Sequence, residues 1–245
     1  MAQQMSSLGN SMPSSSTLLQ GAILKFIRDR HFESGERLFS EREFAEKFST
    51  TRAAVREAFT ALEALRVVER RPQAGIYLRD LCKDSSIDTL VVEVNAGIYP
   101  DSKLVEDAGE VRSILEVAAV RMAAERRDDE DLEAIRKILE ESASRIEKGA
   151  PINIEDEQFH KKIVACTGNS MLLRVVNWFY EFTREKRFQY FTDIERSKIS
   201  HSKHIEIFGA LERSDPDECA KLMQDHLSHS SQLWQSALIS DLDQT

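Results

Sequence analysis

The histidines of the carboxy-terminal two-thirds are the side chains best suited to metal chemistry. Five of the six lie beyond residue 150. One of them, His160, stands four residues after Asp156, a spacing that places two side chains on one face of a helix. Carboxylate and imidazole groups together suit Zn²⁺ and other divalent transition metals. The sequence therefore predicts a mixed nitrogen and oxygen metal site that includes this pair.

Four more histidines are arranged symmetrically about a predicted turn. If Asp215 marks the turn between two antiparallel helices, residues at equal distances from it face each other. His204 and His226 each lie eleven residues from Asp215, and His201 and His229 each lie fourteen away. The spacing alone leaves open which of the two pairs faces inward. The alternative is that these are surface histidines and that the symmetry is fortuitous.

A second set of candidate residues is basic and lies in the amino-terminal third. Arg52 and Arg56 are four apart and share one helix face, and in the major groove arginine bridges O6 and N7 of guanine. Further along, Arg70, Arg71 and Gln73 mark the tip of a predicted hairpin, within reach of a phosphate or the minor groove. These residues predict a DNA-binding surface. The alternative is a solvated helix face.

Three short helices and a hairpin must position these basic residues. Apolar residues recur at helical spacing over Thr17–Arg30. Ser40 and Glu43 form a capping box for a second helix, and Thr51 caps the basic third helix. The β-prone runs Val67–Arg71 and Ile76–Arg79 then predict the hairpin. This order is typical of a winged helix-turn-helix domain.

The rest of the chain has helical patterns throughout, so the predicted fold is mainly α, with a winged helix-turn-helix followed by an all-α bundle of about six helices. Only 9 glycines and 5 prolines support this interpretation. The predicted organisation is a flexible leader over residues 1–15, the DNA-binding domain over 16–80, a linker over 81–101, and an effector-binding and dimerisation domain over 102–240.

Charge and composition narrow the function classes. The net charge of −9 argues against a protein that coats nucleic acid. However, residues 1–80 carry 12 basic and 10 acidic side chains, and residues 81–245 carry 21 and 32. Three cysteines without CxxC spacing, and no apolar run of about 18 residues, predict a reduced, cytoplasmic protein without a membrane span. HExxH, G-x-S-x-G and phosphate-loop motifs are absent, so we expect no enzyme.

The amino-terminal part resembles the GntR family of bacterial transcription regulators. The resemblance covers residues 17–79 and is carried by the stretches Gly35-Glu36-Arg37-Leu38, Ser40-Glu41-Arg42-Glu43-Phe44-Ala45 and Thr51-Arg52-Ala53-Ala54-Val55-Arg56-Glu57-Ala58-Phe59-x-x-Leu62-Glu63. It implies that Arg42, Arg52 and Arg56 contact operator DNA and that Gly75 is the wing glycine. The family usually has serine where Thr51 stands, and glycine in place of Arg66.

Residues 100–240 resemble the FCD ligand-binding domain of the FadR subgroup of that family. The matching stretches are Arg112-x-x-Leu115-Glu116-x-Ala118-Ala119, Asp156-x-x-Phe159-His160, Thr167-Gly168-Asn169, His204-x-x-Ile207-x-x-Ala210-Leu211 and Ala220-x-x-Met223-x-x-His226-Leu227. The resemblance implies that Asp156, His160, His204 and His226 bind a divalent metal, zinc first, with nickel and manganese as alternatives. His201 and His229 are then expected to face solvent or to support the ligands.

The resemblance also implies a small carboxylate effector, such as an organic or sugar acid. Arg112 is the expected effector contact, since its planar fork suits a carboxylate; the alternative is an intrahelical pair with Glu116. Asn169 is expected to contact the effector or only to cap the next helix.

The function that joins these features is a ligand-responsive bacterial transcription regulator. We expect it to act as a repressor and to bind a palindromic operator as a homodimer. Two alternatives remain at this point: a metal-dependent hydrolase that uses the Asp and His residues, and a DNA-binding protein whose metal is purely structural.

Overall fold

The computed structural model describes residues 15–228 and divides the chain into two compact units, Met1–Tyr99 and Pro100–Thr245. The predicted leader lies outside the described residues except for its last position, which begins the first helix. The predicted class, mainly α with a winged helix-turn-helix before an all-helical domain, is confirmed.

Between residues 15 and 99, the described part of the first unit, there are four helices and one hairpin. These are α1 (Ser15–Asp29), α2 (Glu41–Lys47), α3 (Arg52–Ala64), β1 (Val68–Arg71), β2 (Gly75–Leu78) and α4 (Asp88–Asn95). Helices α1, α2 and α3 pack around a core in which Phe44 and Phe59 are fully buried, with ring centroids 5.1 Å apart. This core fixes α3, the helix that carries the basic face.

Side-chain caps set the turn between α2 and α3. The backbone N–H of Glu43 donates to Ser40 Oγ, and the Glu43 carboxylate accepts from the Ser40 N–H, as the capping box predicts. Thr51 Oγ1 accepts from the Ala54 N–H at 3.1 Å and caps α3. Both helices therefore begin at the residues that the sequence indicated.

Strands β1 and β2 pair antiparallel, with Val68 opposite Leu78 and Arg71 opposite Gly75. The turn between them needs left-handed backbone at Gln73 (φ 58°) and continues into Gly75 (φ 119°). The chain before α2 adds to this sheet, because Arg37 forms a bridge with Tyr77. The wing is thus supported along one edge by the segment around Arg37.

The segment predicted as a linker, residues 81–101, lies mostly in the first unit. It contains α4, which packs against α1; Glu93 of α4 is buried and lies 3.7 Å from Arg28. Ile98 also joins the core of this unit. Val92, from the apolar stretch in the middle of the segment, packs against the core of the first unit. The division between the two units falls after Tyr99.

The second unit is entirely helical in its described part. Its helices are α5 (Ser102–Arg126), α6 (Asp129–Glu147), α7 (Asn153–Cys166), α8 (Ser170–Phe182), α9 (Arg184–Phe191), α10 (Ile194–Glu212) and α11, whose described part covers residues 216–228. About six helices were predicted; the additional one arises because Thr183 ends α8 just before α9 begins. None of the helices in residues 15–228 is long and apolar enough to cross a membrane.

The turn that reverses the chain between α10 and α11 lies where the histidine symmetry placed it. Ser214 has a positive φ of 53°, and Asp215 accepts a hydrogen bond from the Glu218 N–H at 3.0 Å. Apolar residues of the two helices, among them Ile207, Leu211 and Met223, are buried in one core with Phe159 of α7. This packing brings α7, α10 and α11 side by side.

Candidate functional site

Four buried side chains converge in the second unit: Asp156 and His160 from α7, His204 from α10 and His226 from α11. Each offers one ligand atom, and these four atoms lie within 4.8 Å of one another. The residues are at most 6% exposed. The structure thus brings together the four residues that the sequence selected as metal ligands, and we call them the Asp/His cluster.

The distances within the Asp/His cluster suit a single metal ion. His226 Nε2 lies 3.2 Å from both His204 Nε2 and His160 Nε2. Asp156 Oδ1 lies 3.5 Å from His204 Nε2 and 3.8 Å from His160 Nε2. Two nitrogens bound to one zinc ion at about 2.0–2.1 Å lie roughly 2.9–3.4 Å apart. The donor set therefore fits a divalent transition metal, while its chemistry does not select one metal.

The electrostatics of the cluster favour the protonation states that bind metal. Burial lowers the pKa of His226 to about 3, and burial with the neighbouring His226 and His160 holds the pKa of His204 well below its usual range. Burial, the largest single influence, raises the pKa of Asp156, but the Arg187 guanidinium together with His160, Arg112 and His226 outweighs it, and the pKa is lowered. Neutral imidazoles and an ionised carboxylate are the forms that coordinate a metal.

Glu116 of α5 supports the cluster from the side of His160. One carboxylate oxygen, Oε2, lies 2.6 Å from His160 Nδ1. A carboxylate at Nδ1 would orient the imidazole with Nε2 towards a metal held by the Asp/His cluster, as in the carboxylate–histidine–metal triads of other proteins. Sequence reasoning assigned Glu116 only to a pair with Arg112. Its spacing from the buried Ala119 and Val120 was the signal that it faces the core.

Arg112, the expected effector contact, is engaged within the protein. Its Nε donates to Glu116 Oε1 at 2.9 Å, and its Nη2 donates to the Tyr180 hydroxyl at 2.7 Å. Tyr180 in turn donates to Glu116 Oε1 at 3.0 Å. The intrahelical pair that was the alternative role of Arg112 is therefore present, and it connects Arg112 to His160 through one carboxylate.

Two polar residues at the cluster were missed by the sequence reasoning. Arg187 of α9, 1% exposed, donates from Nη2 to Asp156 Oδ2 at 2.9 Å and from Nη1 to Glu157 at 2.9 Å. Ser200 Oγ donates to Asp156 Oδ1 at 3.2 Å. Arg187 precedes the buried Tyr190 and Phe191 by three and four residues, and this spacing was the available signal that it faces inward.

The other residues of the second unit that the sequence singled out, Asn169, His201 and His229, are not part of the Asp/His cluster as far as the structure describes them. Asn169 caps α8: its Oδ1 accepts from the N–H groups of Met171 and Leu172, each at 3.1 Å. His201 is half-buried, and burial lowers its pKa. It does not join the cluster, and His229 lies outside the described residues.

In the first unit, the predicted DNA-binding residues line one groove of about 560 Å³, bounded by α2, the start of α3 and the hairpin. We call it the reading groove. Its polar lining consists of Arg37, Ser40, Glu41, Arg42, Arg52, Arg56, Arg70, Arg71 and Gln73, with Gly75 beside them. Thr51 is the one predicted DNA contact that does not line it; its hydroxyl caps α3.

The arginines of the reading groove differ in their partners. Arg56 Nε donates to Glu41 at 3.1 Å, Arg42 lies 3.7 Å from Glu46, and Arg71 pairs with Glu69. Arg52 is exposed and has no carboxylate partner among the residues that the structure describes. Arg52 and Arg56 lie in the first two turns of α3, the end of the helix that borders the groove.

Arg70 does not extend from the hairpin tip as expected. Its Nη1 donates to Glu63 at 3.0 Å and to Thr60 Oγ1 at 3.2 Å, while Nη2 donates to the Arg56 carbonyl at 3.1 Å. A strand position next to α3 explains this, because the side chain reaches acceptors on the helix before it reaches solvent. In the free protein Arg70 therefore ties the hairpin to α3.

Comparison with known proteins gives consistent results for both units. The model of the bacterial regulatory proteins of the gntR family matches residues 19–78, and the model of the FCD domain matches residues 107–229, half of the chain. The HTH-type transcriptional repressors NanR of Enterobacter sp. (strain 638) and Escherichia coli (strain K12) are each 29% identical over 228 residues. These matches cover 89% of this chain and 85% and 84% of the two relatives.

Solved structures agree on the fold. Lar of Listeria monocytogenes superposes with a TM-score of 0.65 at 17% identity, covering 94% of this chain and 100% of that one. E. coli McbR/YncC gives a TM-score of 0.51 at 17% identity, covering 92% and 99%. At these identities the likeness concerns the fold alone.

Proposed function

The chain belongs to the GntR family of bacterial regulatory proteins and carries an FCD domain, and from this membership we propose that it is a ligand-responsive repressor that binds a palindromic operator as a homodimer. Members of this family regulate transcription, so the chain is a DNA-binding regulator and not an enzyme. Repression is favoured by the NanR relatives, which are named as repressors.

The proposed binding to DNA rests on the reading groove. It collects Arg42, Arg52 and Arg56 with the hairpin residues Arg71 and Gln73 on one face of the first unit. A helix end that carries such a face suits the major groove, and a dimer would read two half-sites at a spacing that its symmetry sets. Selection of bound duplexes from a random pool should enrich a palindrome; enrichment of no sequence would contradict this half.

The proposed response to a ligand rests on the Asp/His cluster. Asp156, His160, His204 and His226 would hold a divalent metal ion, zinc being our first candidate and nickel or manganese the alternatives. A bound ion with open positions would supply an electrophilic site for one carboxylate of a small organic or sugar acid. Elemental analysis should find about one ion per chain in the wild type and a loss in His204→Ala/His226→Ala; equal content in both would reject the cluster.

Arg112 and Asn169 remain proposed effector contacts. Glu116 lies between Arg112 and His160. An acid held at the Asp/His cluster would therefore lie near the Arg112 guanidinium, which already binds the Glu116 carboxylate. Asn169 uses its side-chain oxygen for the cap of α8, which leaves only its amide nitrogen for an effector.

We further propose that the second unit dimerises and that the effector binds one arrangement of the dimer better than another. Such a preference shifts the population of arrangements whose DNA-binding units fit the operator. A metal that only stabilises the helices is the competing account. In that case the protein would contain the metal, yet no small acid would change its affinity for DNA.

A further inference from the structure

We propose that Arg37 is an additional DNA contact, and that it binds a phosphate of the DNA backbone beside the hairpin. This proposal rests on the DNA-binding function inferred above. Arg37 lines the reading groove together with Arg52 and Arg71, although it belongs to neither α3 nor the hairpin.

Main-chain hydrogen bonds hold Arg37 in place. The N–H of Leu38 donates to the Ile76 carbonyl at 2.8 Å, and the N–H of Leu78 donates to the Glu36 carbonyl at 2.9 Å. Arg37 therefore lies in an extended segment that continues the two-stranded sheet by one bridge, to Tyr77. Because successive side chains of an extended segment point to opposite sides, the burial of Leu38 directs Arg37 outward.

The charge of Arg37 is available for an anion. Arg42, Arg56 and Arg71 each pair with a glutamate, and those carboxylates compete with any phosphate. Arg37 and Arg52 form no ion pair in the part of the chain that the structure describes, and both are exposed; the charge of Arg37 acts on the Glu43 carboxylate only as the smallest of the influences that lower its pKa. Arg52 stands at the start of the recognition helix, where bases are read. Arg37 stands to the side, where the sugar–phosphate backbone runs past a bound domain.

Gly75 makes room for this arginine. A methyl group added at Gly75 would lie 2.8 Å from Arg37 Nε, too close for two side-chain atoms, so the arginine would have to shift. The Arg37 side chain therefore passes directly over Gly75, and the absence of a side chain there leaves room for its present position. The backbone φ of 119° at Gly75 is a second reason for glycine at this position.

The test is a salt titration with a fluorescent 30-base-pair duplex of random sequence, measured by anisotropy on the full-length protein. Loss of one phosphate contact reduces the slope of log K against log[salt] by about 1, which corresponds to roughly eight-fold weaker binding at 0.1 M salt. We expect Arg37→Ala to show this lower slope and to lose affinity for the enriched operator duplex by the same factor. Arg37→Lys should keep nearly all of the slope and the affinity. Lys25→Ala, which removes an exposed cation of α1 outside the groove, is the matched control and should change the slope less.

An unchanged slope in Arg37→Ala, with normal binding by the wild type, overturns the proposal. A loss confined to the operator duplex also overturns it, because that result identifies a base contact. If the wild type binds neither duplex, the DNA-binding function itself fails. As a second measurement, Gly75→Ala should weaken binding by a smaller factor in the Arg37→Ala background than in the wild type; equal factors in both backgrounds contradict the role given to Gly75.

Discussion

The residues of the Asp/His cluster are held in orientations and charge states suited to a metal by the groups around them. Glu116 faces Nδ1 of His160, and Arg187 binds the Asp156 oxygen that does not face the histidines. Both partners are buried, so their charges act with little screening by solvent. Glu116 and Arg187 therefore place charge on two sides of the Asp/His cluster, and we expect both to influence how well its four residues would bind a metal.

Replacement of Glu116 tests this arrangement. Glu116→Gln removes the negative charge at His160 Nδ1 but keeps the size of the side chain. Loss of such a partner weakens metal affinity by about 10- to 100-fold in other metal sites, and we expect a decrease of this size in a chelator competition. Glu110→Gln, on the exposed face of the same helix, is the control. Equal affinity in both variants would remove Glu116 from this role.

The buried imidazoles predict how the metal-free protein responds to acid. His204 and His226 have lowered pKa values in the folded state, about 3 for His226, so from about pH 6.5 down to those lowered values the unfolded chain binds protons that the folded chain does not. The free energy of unfolding should therefore fall as the pH falls, by up to about 1.4 kcal/mol per pH unit for each histidine that stays neutral. Urea unfolding at several pH values measures this.

The matched variant for the acid response is His204→Gln/His226→Gln, which keeps polar side chains but removes both titrating groups. Its unfolding free energy should depend less steeply on pH over the same interval. Parallel curves for the variant and the metal-free wild type would show that these histidines do not account for the response.

On α3, Arg52 and Arg56 are the residues that we propose to read bases. Arg52→Ala and Arg56→Ala should each reduce discrimination between the operator and a duplex with one altered base pair by about 1–3 kcal/mol. For Arg56 the Glu41 pairing must be exchanged for the base, which makes its effect the smaller of the two. Competition binding with both duplexes measures the difference; unaltered preference in both variants would assign the two arginines to phosphate contacts.

At the scale of elements, the turn between α3 and β1 carries an unusual residue. Arg66 has a φ of 58°, the left-handed conformation that favours glycine. This is the position at which the GntR family usually has glycine, so the departure noted in the sequence has a conformational consequence. Arg66 thus adopts the same turn that glycine would adopt, and its backbone is strained by the positive φ.

Arg66→Gly should relieve that strain. We expect the free energy of unfolding to rise by up to about 1 kcal/mol, the left-handed strain being partly offset by the greater freedom of glycine in the unfolded chain. The measurement is the urea midpoint of full-length protein. Arg66→Ala, which removes the side chain but not the strain, is the control and should not stabilise. A glycine variant no more stable than the alanine variant contradicts the explanation.

Local signals predicted the elements with unequal success. The caps at Ser40 and Thr51 and the turn at Asp215 were identified because each depends on side chains close in sequence. The packing of residues 81–101, predicted as a linker that could hold one helix, was not evident from the sequence, because α4 is stabilised by contacts with α1, which is distant along the chain. Arg70 was misplaced for a related reason: its partners lie on α3, and spacing along the chain does not reveal them.

At the scale of the whole molecule, the structural division of the chain changes how the charge is shared between the units. Residues 1–80 have a net charge of +2, yet the first unit extends to Tyr99, and the added residues make it neutral. The reading groove nevertheless gathers six arginines and one carboxylate, that of Glu41, so positive charge is concentrated there although the unit as a whole is neutral. The second unit keeps the net charge of −9 and carries the buried cluster.

We propose above all that an acid bound at the Asp/His cluster changes how the reading groove binds DNA. The most direct measurement is the affinity of the metal-loaded protein for its enriched operator duplex, with and without saturating amounts of each acid in a panel of small organic and sugar acids. We predict that at least one acid changes the affinity by five-fold or more, a coupling of about 1 kcal/mol, and that His204→Ala/His226→Ala abolishes the change. Affinity unaltered by every acid, or altered equally in the double variant, would contradict the claim.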